Sequence, residues 1–344
     1  MHPRWLAGSW ALLLPIAACA PPIDPPWLVT GPRELAMHVE VVAQGPYGAR
    51  IEPGPRTFRD ALPLDTLSLR PVVVDVDGLV DPDVLEGRFI LCAGLGTCLL
   101  RGSVTELPAC SGDELQPSTP CRFGEGGTAT LTMADAPSEL PSGFSTVLGL
   151  VSGPTVGFIA SAPDGPGLDG CLARFDAREP LDGCLSMERV LGIGPLGDLA
   201  RLLEDHGIDP GLDPTAETLL NRPRNRNPGV EHIRVDIGER TMMASAEDTI
   251  VVPRDEWVTL TLETTDDDLD AFETAVGEQT ATLEDFLYDQ WWFDRDIEVE
   301  EAPPGQLWVR VRVGAVQGPV RAHVVLRDDR GGEGWGWLDL ELGD

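Results

Sequence analysis

Four stretches near the C-terminus place an apolar residue at every second position. Leu307, Val309, Val311 and Val313 alternate with Trp308, Arg310 and Arg312. Val320, Ala322, Val324 and Leu326 alternate with Arg321, His323 and Arg327. Leu338, Leu340 and Leu342 alternate with Trp337, Asp339 and Glu341, and Val258, Leu260 and Leu262 with Thr259, Thr261 and Glu263. Successive side chains of a strand point to opposite faces, so a period of two calls for strands with one buried face. A helix, with its period of 3.6, cannot satisfy this pattern.

Adding His232 to Ile237 and the run Trp291-Trp292-Phe293 gives six or seven strands in about 115 residues, the size and spacing of an immunoglobulin-like sandwich. The expected core contains Val258, Leu260, Leu262, Leu307, Val309, Val311, Val324 and Leu326, completed by a buried Trp292. This half is expected to fold alone. Strand patterns also recur upstream. Leu35, Met37, Val39 and Val41 share one face, Leu67 to Val74 forms a second strand, and Phe89 to Cys92 is a short buried run. Thr128 to Met133 and Thr155 to Ala162 alternate as well, the latter with Val156, Phe158 and Ala160 inward. The sequence has 31 Pro and 38 Gly, so turns are many and long helices few. One helical patch stands out: Pro195 at the start, Leu196, Leu199, Ala200 and Leu203 at helical spacing, and Gly207 at the end. A second short helix is expected from Asp213. The fold class is therefore mainly β, as two antiparallel sandwiches, the first with long tied loops and a small helical patch.

Seven cysteines occur, at 19, 92, 98, 110, 121, 171 and 184. Six lie between residues 92 and 184, inside segments rich in Gly, Pro, Ser and Asp. Six thiols in an oxidising compartment suit three bridges. Sequence does not choose among the pairings; the local set Cys92–Cys98, Cys110–Cys121 and Cys171–Cys184 is the expectation, because each closes one irregular loop. Spacings of the CxxC type with a nearby histidine, as zinc requires, do not occur.

The seventh cysteine has a different context. Met1-His2-Pro3-Arg4-Trp5 precedes an apolar run from Leu6 to Ala18, the layout of an export signal. It ends in Ile16-Ala17-Ala18-Cys19, which resembles the lipobox of bacterial lipoproteins, in which the cysteine is acylated. The expected organisation is a signal peptide over 1–18, a Pro-rich tether over 19–28, a cysteine-rich sandwich over 29–222, a linker over 223–228 and a second sandwich over 229–344. Asn221 to Pro228 contains no apolar residue apart from its prolines, the reason to read it as a linker. The implied address is the bacterial envelope, held to the outer membrane through lipid at Cys19.

Charge narrows the partners. The formal net charge is −32, with 57 acids against 25 basic residues, all arginine. Phosphate binding needs clustered cations, so nucleic acid is not an expected partner. The lack of lysine excludes Schiff-base, Walker-type and Ser-Lys chemistry. Asp75, Asp77, Asp81 and Asp83 have the carboxylate density of a calcium loop. They lack the distal Glu of an EF-hand, and Asp-Gly turns form without metal. No cofactor is therefore expected, with calcium as the one candidate. His38 and His323 fall on the polar sides of strands, where an exposed neutral imidazole is expected. Trp291, Trp292, Phe293, Trp308, Trp335 and Trp337 could build an aromatic platform for a sugar or peptide.

The tail His323 to Trp335, which reads HVVLRDDRGGEGW, the pair Trp292-Phe293 and the entry Asn225-Arg226-Asn227-Pro228 resemble tandem Ig-like surface lipoproteins of Gram-negative bacteria. The resemblance implies a non-enzymatic surface or envelope protein with a protein or glycan partner that sequence does not name. The alternative is a secreted hydrolase or carbohydrate-binding accessory using surface carboxylates and the Trp cluster.

Overall fold

The computed structural model describes residues 25–51, 58–92, 103–111, 119–135, 153–205, 207, 223–264, 272–276, 279–283, 286–314 and 316–343. The first unit runs β1 (Arg33–Ala43), α1 (Gly48–Ile51), β2 (Thr66–Asp75), β3 (Gly78–Leu79), β4 (Glu86–Cys92), β5 (Cys121–Glu125), β6 (Ala129–Thr132), β7 (Thr155–Ser161), α2 (Leu168–Ala177), β8 (Cys184–Val190) and α3 (Leu196–Asp205). In one antiparallel sheet β1 lies beside β2, and β3 and β6 pair with β2. The other has the order β5-β4-β7-β8. Met37, Val39 and Val41 of β1 and Leu67, Leu69 and Val73 of β2 meet Phe89 and Leu91 of β4 and Val156 and Phe158 of β7. Alternation thus places the first core as expected, with one exception. The ladder shifts register between Glu34 and Ala36, and Leu35 packs outside this core with Ala36, Val72 and Val74. A bulge puts an extra residue into one strand and resets which face follows.

The cysteine-rich segments are less irregular than expected. Residues 163–185 carry α2, because Leu168, Cys171, Leu172 and Phe175 recur at helical spacing and pack on Ile90 and Ile159, the outer face of the β5-β4-β7-β8 sheet. Disulfides join Cys171 to Cys184 and Cys110 to Cys121. Cys92 is also disulfide-bonded; Cys98 lies outside the described residues. Asp176, in the last turn of α2, accepts hydrogen bonds from the Val104 N–H at 2.6 Å and from the Ser103 and Thr105 hydroxyls at 2.5 Å. Burial works against its charge, but these donors outweigh it and hold the carboxyl below its ordinary range. α3 forms where expected and contributes Leu199 and Leu202 to the core. The second helix expected from Asp213 lies outside the described residues.

The second unit runs β9 (His232–Ile237), β10 (Arg240–Ser245), β11 (Thr249–Val252), β12 (Trp257–Glu263), β13 (Phe272–Val276), β14 (Gln279–Leu283), β15 (Leu287–Phe293), β16 (Glu298–Glu301), β17 (Trp308–Arg312), β18 (Val320–Asp328) and β19 (Glu333–Leu342). One sheet has the order β10-β9-β12-β17-β16, the other β11-β19-β18-β15, and β13-β14 is a separate hairpin. β11 runs parallel to β19; the other pairs are antiparallel. β9, β12, β17 and β16 thus follow the A-B-E-D order of an immunoglobulin-like sandwich, and β19, β18 and β15 its G-F-C order. All eight residues expected in the core pack in it, Leu307 at its margin. Thr259, Thr261, Arg310 and Arg312 stay outside, so the register is the expected one.

The core tryptophan is the neighbour of the one expected. Trp291 faces the second core, whereas Trp292 packs between the two units with Val29, Leu35, Ala36, Val72, Val74, Val325 and Trp335. The outer face of β1–β2 therefore lies against the outer face of β15–β18–β19. This contact explains why Val72, Val73 and Val74 are all buried: Val73 faces one core, and its neighbours face the seam. An isolated second half would expose Trp292, Val325 and Trp335.

The polar segment read as a linker is not an exposed tether. Arg224 and Asn225 are each 1% exposed. The Arg224 guanidinium pairs with Asp65, donates to the Asp60 carbonyl at 2.9 Å and lies over the Phe58 ring at 4.4 Å. Asp65 also accepts the Gly45 and Leu62 N–H groups at 2.6 and 2.9 Å. Asn227 donates to the Val39 carbonyl at 2.8 Å and accepts the Glu333 N–H at 3.1 Å. The glycines of the C-terminal tail follow from this crossing: a Cβ on Gly334 would lie 1.9 Å from the Pro228 carbonyl oxygen. The residues that carried the family resemblance thus build the joint between the units.

Candidate functional site

Two places gather chemistry-bearing side chains: the seam and the open edge of the second sandwich. At the seam, Glu333 is 3% exposed. It accepts the Met37 N–H at 2.8 Å, Arg189 at 3.1 Å and Arg327 at 2.8 Å, so it ties β1 and β8 of one unit to β18 of the other. Arg327 also reaches the Leu35 carbonyl, and Arg59 donates to the Gly331 carbonyl at 2.8 Å.

Both histidines expected to be exposed are in or beside this seam. His323 is 2% exposed, and His38 is half-buried edge-on to Trp335 at 4.9 Å. Coverage by the neighbouring unit is the reason; a strand's outer face is solvent-exposed only when nothing stacks on it. Burial, with the Arg321 charge, pushes the His323 imidazole from 6.5 down to about 4. Burial lowers His38 as well.

The folded chain therefore keeps these rings neutral where the unfolded chain would bind a proton. Stability from His323 is full above pH 6.5 and is lost as pH falls toward about 4. The full drop is about 3 kcal/mol. Asp328, which is buried, and Glu34 and Asp294, which are half-buried, act oppositely, since burial raises their carboxyls and favours the folded state in acid. The test is therefore a difference. His323→Gln should show a smaller loss of urea stability between pH 6.5 and 4 than the parent; parallel curves would contradict the assignment.

The open edge is built differently. β15 and β16 are edge strands of opposing sheets. On β15, Asp289 shares its period-two register with Leu287, Trp291 and Phe293, all core residues. On β16, Glu301 shares its register with Val299, which packs on the same core. Asp289, half-buried, thus occupies a position where alternation calls for an apolar side chain, and Glu301 stands exposed at the end of β16. They flank a cavity of about 230 Å³ whose lining includes Trp291, Trp308, Val309 and the loop 302–306. The Trp291 indole donates to Asp289 at 2.6 Å, and the Trp308 indole to Gln306 at 2.8 Å. Burial raises the Asp289 carboxyl above its ordinary range and the Glu301 charge adds to this, while the Trp291 N–H works against it.

The other expected sites disperse. Cys19 lies outside the described residues. Asp75 accepts the Asp77 N–H and Asp81 the Asp83 N–H, both at 2.9 Å, so two of the calcium candidates cap their own turns. Among the described residues, no group of three or more His, Cys, Asp and Glu could hold a metal ion. The six aromatics form no common platform: Phe293 is in the core, Trp292 and Trp335 are at the seam, Trp337 is half-buried on β19, and Trp291 and Trp308 line the cavity, Trp291 from the core side. Sequence reading missed Asp289 and Glu301. The available signal was an acid in step with Leu287, Trp291 and Phe293.

No family model matches the sequence, and no curated protein matches it. Two solved structures show weak likeness. A nucleoside hydrolase-related hypothetical protein from Saccharophagus degradans, associated with carbohydrate metabolism, is 12% identical over 52% of this chain, with a TM-score of 0.23. Dimeric latent PorU from Porphyromonas gingivalis is 9% identical over 90% of this chain, with a TM-score of 0.18. The chain spans 39% and 24% of the lengths of those two proteins. At such scores neither likeness bears on fold or function. No helix among the described residues is long and apolar enough to cross a membrane.

Proposed function

We propose that this chain is a lipid-anchored protein of the bacterial envelope, held at the outer membrane, that acts as a non-catalytic binding or structural module. The observation that carries the reading is the packing of the two sandwiches. Both interiors are filled by side chains, and the units are joined through Glu333, Asn227 and the Trp292 cluster into one body. Such a body suits presentation of a surface, and the opening between β15 and β16 is the part of that surface shaped to receive a ligand.

The anchor and the fold are compatible in geometry. Trp27 to Val29 attach to the second unit, with hydrogen bonds of 2.8 Å between Val29 N–H and the Phe293 carbonyl and between Phe293 N–H and the Trp27 carbonyl. The eight steps from Cys19 to Trp27 can reach at most about 29 Å, the limit of a fully extended chain. Acylation of Cys19 therefore keeps the Phe293 end of β15 close to the bilayer.

Cys19→Ser should move the protein from the membrane fraction to the soluble fraction, because lipid supplies the strong apolar anchor. A variant that stays membrane-bound would sink the anchoring claim. The second reading, a secreted hydrolase or carbohydrate-binding accessory, is favoured by one feature, the meeting of Asp289 and Glu301 with Trp291 and Trp308. Turnover of aryl glycosides that is lost in Asp289→Asn would establish it in place of the first.

A further inference from the structure

The cavity between β15 and β16 is unbalanced in charge. Its lining contains two carboxylates, Asp289 and Glu301, and no arginine or histidine. Elsewhere the described acids at inward or buried positions have cationic or N–H partners: Asp65 has Arg224, Glu333 has Arg189 and Arg327, and Asp328 takes the N–H groups of Arg330 and Gly332. At the cavity, the donors to Asp289 are neutral: the Trp291 indole and its own backbone N–H. Asp289, half-buried and in register with core residues, carries a partly desolvated charge without a countercharge, which is unfavourable in the empty protein, while Glu301 stands exposed at the rim of the cavity. Apolar and aromatic walls from Val309, Trp291 and Trp308 surround them. This combination, carboxylates beside aromatic rings in a small concavity, is complementary to an organic cation. The net charge of −32 adds a long-range attraction for the same class.

We propose that this cavity binds a ligand through an ammonium or guanidinium group with a short apolar stem. The head lies between Asp289 and Glu301, one carboxylate from each sheet, and the stem lies against Val309 and the tryptophans. The proposal rests on the reading of this opening as the ligand site and is independent of the lipid anchor.

Titration calorimetry of the full-length chain in detergent tests it with four probes: butylguanidinium, butylammonium, butanol and glucose. At least one of the two cations should bind saturably at one site per chain, and butanol should not. Asp289→Asn and Glu301→Gln should each weaken cation binding about tenfold or more. Both substitutions keep size and shape, and the amide oxygen introduced by Asp289→Asn still accepts the Trp291 indole N–H. An unchanged near-ultraviolet circular dichroism spectrum certifies the fold. Cation binding that persists in the double variant would mean diffuse attraction to an acidic surface and would overturn the proposal. Glucose binding without cation binding would overturn it while keeping the opening as a ligand site. Failure of all four probes would remove the proposal and that reading of the opening together.

Discussion

Glu333→Ala is expected to lower the unfolding free energy by about 3–5 kcal/mol, the cost of removing one partner from a buried charged network. The substitution leaves the Met37 N–H without its acceptor and Arg189 and Arg327 without their shared carboxylate. The seam is partly hydrated on the Arg189 side, whose side chain is 31% exposed, so the loss should fall toward the lower end. Glu333→Gln retains an acceptor and should lose less. Urea midpoints at pH 7 check both; an alanine variant within about 0.5 kcal/mol of the parent, the range of ordinary surface changes, would show that Glu333 does not join the units.

Arg224→Ala should be at least as damaging, again about 3–5 kcal/mol. Both side chains of the Arg224–Asp65 pair are fully buried. Removing the guanidinium strands a carboxylate inside the first unit and withdraws the donor to the Asp60 carbonyl and the cation over Phe58. Replacing the pair with apolar residues, Arg224→Met with Asp65→Leu, should recover part of the loss. The recovery will be incomplete, because Asp65 also accepts the Gly45 and Leu62 N–H groups. Arg224→Ala folding as stably as the parent would show that the segment 223–228 is a tether after all.

Local rules decide what can be read from the sequence. The strict alternation over 307–342 places the second core correctly, since a one-residue slip would bury Arg310 and Arg312. The two described disulfides agree with the expected local pairing, joining cysteines 11 and 13 residues apart. What escapes is long-range. Leu35 leaves the face of Met37, Val39 and Val41 because a bulge makes no mark on a short apolar pattern. Trp292 and His323 defy expectation because alternation gives a side chain's face and not what covers that face.

The polar linker misleads for a related reason. Composition does not distinguish a polar segment bathed in water from one whose arginine and asparagine find buried partners far away in sequence, as Arg224 does in Asp65 and Asn227 in the Val39 carbonyl. Asp289 is legible in principle, as an acid in step with Leu287, Trp291 and Phe293, and a local rule broken without a countercharge is where function is to be sought. Glu301, exposed on a short strand, carries no such mark.

Scanning calorimetry of the full-length chain at pH 7 in detergent tests most directly whether the two sandwiches form one body. A single transition is expected, with calorimetric and van't Hoff enthalpies that agree, and it should separate into two steps in Glu333→Ala. Two resolved transitions in the parent protein would mean that the units unfold independently, and would contradict the joint through Glu333, Asn227 and Trp292.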